Sequence, residues 1–171
     1  MNIVVCLKAV PTNVKSPVPA EDGSAIVTEG DRFINTSDEY ALELALLLRR
    51  NAGGSVTAVT VGSTRSQDVL YVAIAKGADQ ALRVDCDEFD PNVTSFLLAR
   101  AIRDLNADLV LSGVESSDGM ASQVGISTGA QLGAATVYAV TRVECDSEGK
   151  TLTVTRELGG GRYQTLEIRT P

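Results

Sequence analysis

The sequence predicts an α/β protein built on a doubly wound, mostly parallel sheet with a C-terminal antiparallel meander. Three observations predict it. Short apolar runs at residues 3–7, 56–61, 81–84 and 109–111 alternate with stretches of helical period, the pattern of strand–helix–strand crossovers. The first run, Ile3-Val4-Val5-Cys6-Leu7, is continuously apolar and β-branched, as a central parallel strand covered on both faces is. After Ala134 the helical spacing gives way to strand-like runs at 137–145, 151–158 and 163–169. Residues 146–150 and 159–162 join them, and connections that short make antiparallel pairs. With 171 residues, one domain over 1–171 is expected, with antiparallel strands of 135–171 inside it.

The elements follow in order. Lys8-Ala9-Val10-Pro11-Thr12 succeeds the first strand, and Pro11 is expected to stop it. A polar segment with Pro17, Pro19 and Gly23 runs to Asp31, and a short hairpin is expected within 25–34. Asn35-Thr36-Ser37-Asp38-Glu39 opens the strongest helix, where Thr36 and Glu39 have capping-box spacing. Ala41, Leu44, Ala45 and Leu48 form its apolar stripe, Arg49 and Arg50 complement the negative end of its dipole, and Gly53-Gly54 ends it. The second strand leads through Thr64 and Gln67, again at capping-box spacing, into a helix over 66–76 stopped by Gly77. Asp90-Pro91 starts a third helix, with Val93, Leu97, Ala101 and Leu105 as its apolar face. The fourth strand, 109–111, precedes a helix over 124–132. Gly125, Gly129 and Gly133 leave one side of that helix bare. It is expected to pack closely on the sheet or on a partner, because glycines weaken a helix standing alone.

Composition narrows the function. Net charge is −7, which argues against nucleic acid or an anionic membrane as the main partner. Aromatic residues make up 4%, too few for a base-stacking surface. There is no histidine, which removes Ser-His-Asp and Cys-His catalysis, histidine metal sites and the commonest general base. Hydrolytic catalysis is poorly provisioned. Cys6, Cys86 and Cys145 are odd in number and form no CxxC, which suits buried thiols in a reducing cytoplasm. No run is long enough for a signal peptide or a membrane span. A soluble cytoplasmic protein is expected.

One stretch carries the candidate chemistry: Ser112-Gly113-Val114-Glu115-Ser116-Ser117-Asp118-Gly119-Met120-Ala121-Ser122-Gln123-Val124-Gly125. It joins the fourth strand to its helix, and open α/β sheets bind ligands past the carboxyl ends of their strands. A helix start offers free N–H groups and partial positive charge to an anion, and the small residues admit close approach. The stretch reads as a nucleotide or phosphate cradle, or as a tight strand-to-helix turn. Neither GxGxxG nor GxxxxGK[ST] is present. Lys8 would sit at a strand end facing the same crevice, or simply in solvent. Asn35 is a ligand contact or a turn former.

The chain resembles the β subunit of electron transfer flavoproteins along nearly its whole length, and four segments carry the resemblance. They are Val4-Val5-Cys6-Leu7-Lys8-Ala9-Val10-Pro11, Ile34-Asn35-Thr36-Ser37-Asp38-Glu39-Tyr40-Ala41-Leu42-Glu43, Ala73-Ile74-Ala75-Lys76-Gly77-Ala78-Asp79 and, most specific, 112–125. The resemblance implies an adenine-nucleotide α-hydrolase-like fold with a nucleotide across its switch point. It implies a heterodimer with an FAD-carrying α subunit, passing electrons from acyl-CoA-type or other dehydrogenases towards a quinone oxidoreductase. The β subunit would hold structural AMP, or a second FAD in bifurcating members, and would have no catalytic residue of its own. By the same resemblance, Cys6 would line the adenine pocket through its backbone with Lys8 nearby, Asn35 would meet the ribose or phosphate side, and Val61 would lie against the nucleotide. Ser116, Asp118, Gly119, Ser122, Gln123 and Val124 would form the phosphate loop.

Three departures stand out: Thr36 replaces the usual proline, Ser122 replaces asparagine or threonine, and the family's β subunit runs well past residue 171. Two other classes share features of the chain. An ATP-using enzyme of the pyrophosphatase type has an SGGxDS loop like Ser112-Gly113-Val114-Glu115-Ser116, but after its first strand. A stress-protein-like ATP-binding regulator needs a glycine spacing that Gly113, Gly119, Gly125 and Gly129 do not meet.

Overall fold

The computed structural model describes residues 1–11, 18–23, 26–27, 31–87, 90–146 and 148–170. The chain begins with β1 (Asn2–Cys6), β2 (Ala9–Pro11), β3 (Val18–Pro19), β4 (Ile26–Val27) and β5 (Arg32–Ile34). Then come α1 (Thr36–Ala52), β6 (Ser55–Val61), α2 (Asp68–Lys76), β7 (Gln80–Val84) and α3 (Pro91–Arg103). It ends with β8 (Leu109–Ser112), α4 (Val124–Leu132), β9 (Val140–Cys145), β10 (Thr151–Gly159) and β11 (Arg162–Arg169).

Four strands form a parallel sheet in the order β7-β6-β1-β8. Because successive side chains point to opposite faces, the continuous apolar run of β1 splits into two cores. Ile3, Val5 and Leu7 face α1 and α2, packing on Leu42, Ala45, Leu46, Val69 and Ala73. Val4 and Cys6 face the other way, onto Leu98 and Ile102 of α3 with Val124 and Leu132 of α4 alongside. From β1 the chain adds β6 and β7 on one side and then crosses back to add β8 on the other. The winding thus reverses between β1 and β8, and a crevice is expected at their carboxyl ends. Among the described residues, no helix is long and apolar enough to cross a membrane.

Several expectations need correction. The first strand ends at Cys6, before Pro11 is reached, and Pro11 instead closes a second strand, β2, which pairs antiparallel with β5. Proline sits there at the strand's last position, where its missing donor is tolerated. The hairpin expected within 25–34 is not local: Ile26–Val27 pairs back to Val18–Pro19 and Arg32–Ile34 to Ala9–Pro11. Residues 12, 17, 25 and 28–30 of these stretches lie outside the described residues. Neither capping box forms. Asn35 is the cap of α1, its carbonyl accepting from the Asp38 and Glu39 N–H groups, while the Glu39 carboxylate turns to Lys76 at 2.7 Å. Thr64–Ser66 is a 3₁₀ turn capped by Ser63, and Gln67 donates to Tyr71, so the following helix starts at Asp68.

The buried face of α3 is Ser95, Leu98, Ala99 and Ile102, with Val93, Leu97, Ala101 and Leu105 half-buried beside it. A serine hides this face from an apolar search. Ser95 is buried because it donates to the Asn92 carbonyl and accepts from Gln131 on α4. The meander does not extend the parallel sheet. It forms its own sheet, β11-β10-β9, and Val143 and Cys145 of β9 pack onto the core under α1. Its first strand starts at Val140, not 137, after Ala139 adopts φ +58°, a left-handed conformation that extended strands exclude.

Leu42 is fully buried between α1 and the sheet, whereas Leu47 on the same helix is 45% exposed. Leu42→Ala should cost about 2–5 kcal/mol through lost burial and the cavity left behind. Leu47→Ala should stay within about 0.5 kcal/mol. Urea midpoints at unchanged slope read the difference.

Candidate functional site

A cavity of about 180 Å³ opens over the carboxyl ends of the parallel strands, far more than the ~10–15 Å³ that one water requires. Its two ends differ because they follow different strands. Beyond β6 and β7 the wall includes Val61, Pro91 and Leu98; beyond β1 and β8 it includes Lys8, Asn35, Ser116 and the head of α4. Of the residues singled out from the sequence, Cys6, Lys8, Asn35, Val61, Ser116, Asp118, Ser122, Gln123 and Val124 all line it. Gly119 does not. It sits behind Lys8 at the loop's bend, where a Cβ would lie 3.6 Å from Lys8 Nζ.

The first turn of α1 holds this crevice together. Asp38, 6% exposed, accepts from the Lys8 N–H at 2.8 Å through Oδ2 and from the Gly113 N–H at 2.7 Å through Oδ1. One carboxylate thus ties together the chain just past β1 and just past β8. Asn35 donates to the Glu115 carbonyl at 2.7 Å and accepts from the Ser117 N–H at 3.1 Å. Ser37 Oγ donates to the same Glu115 carbonyl at 2.6 Å. Gly113 is required by proximity, since a Cβ there would lie 2.3 Å from both Asp38 Oδ1 and Ser37 Oγ.

On the crevice side, the Lys8 ammonium pairs with Asp118 at 2.6 Å and donates to Ser116 Oγ at 3.0 Å. Burial raises the Asp118 carboxyl, but Lys8, the Ser116 hydroxyl and the Gly119 N–H together hold it below its ordinary value. Ser122 Oγ donates to Glu115 at 3.0 Å. Met120 and Ser122 are both left-handed, at φ +48° and +53°, a conformation that costs non-glycine residues and collects at binding loops. Gln123 caps α4 without a side-chain hydrogen bond. The first-turn N–H groups of α4 therefore have no side-chain cap where Val124 and Gly125 meet the crevice. Gly125 brings that turn close to β8, for a Cβ would sit 2.4 Å from Ser112 Oγ. Burial, and then the Asp38 charge, push the Cys6 thiol up to about 12.

Sequence reasoning passed over Asp38, Ser37 and Glu115 as individual contributors. A signal for Asp38 existed, because it falls in register with Ala41, Ala45 and Leu48 on the buried stripe of α1. A carboxylate on an apolar stripe must find hydrogen-bond donors. Cys86, Asp87, Ser63 and Thr94 also line the far end of the cavity, and no motif marked them.

Burial raises the Asp38 carboxyl from 3.8 to about 6, against the Lys8 and Gly113 N–H donors, the Asn35 amide and the Lys8 charge. A carboxyl that binds its proton more tightly when folded lowers stability as pH rises from about 4 through 6, by about 3 kcal/mol in all. Asp38→Asn removes the titration. Urea midpoints from pH 4 to 7 should show the wild-type chain losing stability relative to the variant as pH rises; parallel curves would refute the shift.

The electron transfer flavoprotein domain matches residues 24–171. Over 174 residues the chain is 36% identical to an electron transfer flavoprotein subunit beta of Clostridium acetobutylicum, covering 100% of the chain and 66% of the relative. One from Thermoanaerobacterium thermosaccharolyticum is 36% identical, at 100% and 66% coverage. Protein FixA of Azorhizobium caulinodans is 34% identical, at 100% and 64%. The chain thus spans just under two thirds of these relatives' length. Cys6 and Lys8 precede the matched domain but fall within the stretch shared with the relatives. With the domain matched over most of its length, the chain belongs to the electron transfer flavoprotein family, on the side of its β subunits and FixA proteins.

Proposed function

We propose that the crevice holds AMP and that the chain serves as a non-catalytic, nucleotide-binding β-type subunit. The carrying observation is the uncapped first turn of α4 beside Lys8 on the cavity wall, with Val61, Pro91 and Leu98 among the residues at the other end. Helix N–H groups and an ammonium suit a phosphate, and the wall of Val61, Pro91 and Leu98 suits a base. Asp118 and Glu115 stand close to the same place. Their charges favour one phosphate over three. Ser116, Asp118, Ser122, Gln123 and Val124 would surround the phosphate with Lys8, Gly119 would permit the loop's bend, and Cys6 would offer its backbone to the base. Asn35 would shape the wall.

In this reading residues 1–171 act as one nucleotide-binding unit that scaffolds an FAD-carrying α subunit. Electrons would pass from acyl-CoA-type or other dehydrogenases through that flavin towards a quinone-linked acceptor. The protonated Cys6 thiol supports a role without covalent catalysis. A second FAD in place of AMP would mark a bifurcating system.

The test is to denature the purified protein and identify the released small molecule by absorbance and mass. Near-stoichiometric AMP is expected, and FAD would shift the reading to a second flavin. If nothing is released, added AMP at about 100 times its dissociation constant should stabilise the chain by about 2.7 kcal/mol. No stabilisation would end the proposal. Lys8→Ala should weaken AMP by tenfold or more, through loss of a charge-assisted contact, and leave adenosine unchanged.

A further inference from the structure

We infer that Asn35, Ser37 and Asp38 form a positioning clamp that sets the shape of loop 113–123 before any ligand arrives. Resting on the nucleotide reading above, the inference adds that Asn35 acts on the ligand through this loop and not by donating to it. Asn35 donates through its amide nitrogen to the Glu115 carbonyl at 2.7 Å and to Ser37 Oγ at 2.8 Å, two acceptors that lie 2.6 Å apart. Its oxygen accepts from the Ser117 N–H. Ser37 has a single hydroxyl proton, and it also goes to the Glu115 carbonyl. Each Asp38 oxygen already accepts one backbone N–H. Asn35 is 3% exposed, with its amide nitrogen turned to Glu115 and Ser37 and its oxygen to Ser117, so its polar atoms are committed to the loop and not to a ribose or a phosphate.

The clamped atoms follow a pattern. They are the Gly113 N–H, the Glu115 carbonyl and the Ser117 N–H, all main-chain groups of alternate residues. The intervening Ser116 and the next even residue, Asp118, reach Lys8 instead. The first half of the loop is thus paired along one side to α1, much as a strand is paired to its neighbour, while its other side meets the crevice. Contact is at its limit, because any Cβ at Gly113 would overlap Asp38 and Ser37. The second half carries the left-handed Met120 and Ser122, which a free loop would tend to relax. A loop ordered in advance does not lose that freedom when a ligand binds, so the clamp should raise affinity without touching the ligand.

Amide hydrogen exchange on the ligand-free chain, read residue by residue, tests the clamp. Asn35→Ala should speed exchange at Ser117 by tenfold or more while Val5 and Val59 in the sheet keep their rates. If the sheet amides accelerate too, the variant is damaged globally, and Ser37→Ala, which removes only a hydroxyl, decides: Ser117 should still exchange several-fold faster. Unchanged Ser117 exchange in both variants would overturn the clamp. Affinities of both variants for AMP, 2′-deoxy-AMP and 3′-deoxy-AMP, which all keep the phosphate that the loop surrounds, test the second half. A loss by the same factor for all three is expected; a loss that vanishes for one deoxy ligand would show direct contact and overturn it. If the wild-type chain binds none of the three, the nucleotide reading fails and takes the second half with it, while the exchange rates still decide the clamp.

Discussion

Asp38 places a buried carboxylate where two neighbouring parallel strands part company. Past β1 and β8 the chain leaves for opposite sides of the sheet, and the N–H groups of Lys8 and Gly113 have lost their ladder. The carboxylate accepts from both, which meets the requirement that buried donors be paired. The Lys8 carbonyl is held in turn by the Asn35 N–H at 2.9 Å. With its main chain fixed at both groups, Lys8 projects its ammonium towards Ser116 and Asp118. Burial raises the Asp38 carboxyl and, first among its causes, the Cys6 thiol, to which the Asp38 charge adds. One side chain therefore sets the crevice's shape and aims its cation.

The rest of the crevice follows from the parity of β1 and the order of the strands. Alternate residues of β1 commit to two separate cores, so the helices on either side are anchored independently and the strand ends between them stay open. At one end of that opening lie Lys8, Asn35, Ser116 and an uncapped helix start; at the other, Val61, Pro91 and Leu98 stand among Ser63, Cys86, Asp87 and Thr94.

Local signals were legible wherever a single element decides the outcome. The four parallel strands, the glycine stop of α2 at Gly77, the Asp90 cap and the bounds of α4 follow from runs, spacings and caps within a few residues. Capping boxes were misleading for the same reason. Thr36 and Glu39 have the right spacing, but Glu39 has a better partner in Lys76 of α2, and Asn35 spends its amide on a loop eighty residues away. The face of α3 was hidden by Ser95, whose partner Gln131 lies on a different helix. The pairing of Ala9–Pro11 with Arg32–Ile34 also spans sequence that gives no local turn signal for it.

The sequence by itself determined the order and type of the elements, the absence of histidine chemistry and the loop on which a ligand site would depend. Periodicity, caps and composition act over short distances, so they can be read along the chain. Only the tertiary structure decided that the head of α1 reaches across to 113–117, that Asp38 joins two strand ends, and that the meander stands as a separate sheet. Those outcomes depend on which hydrogen-bonding groups are left unpaired once the helices are packed, and that is settled between elements distant in sequence.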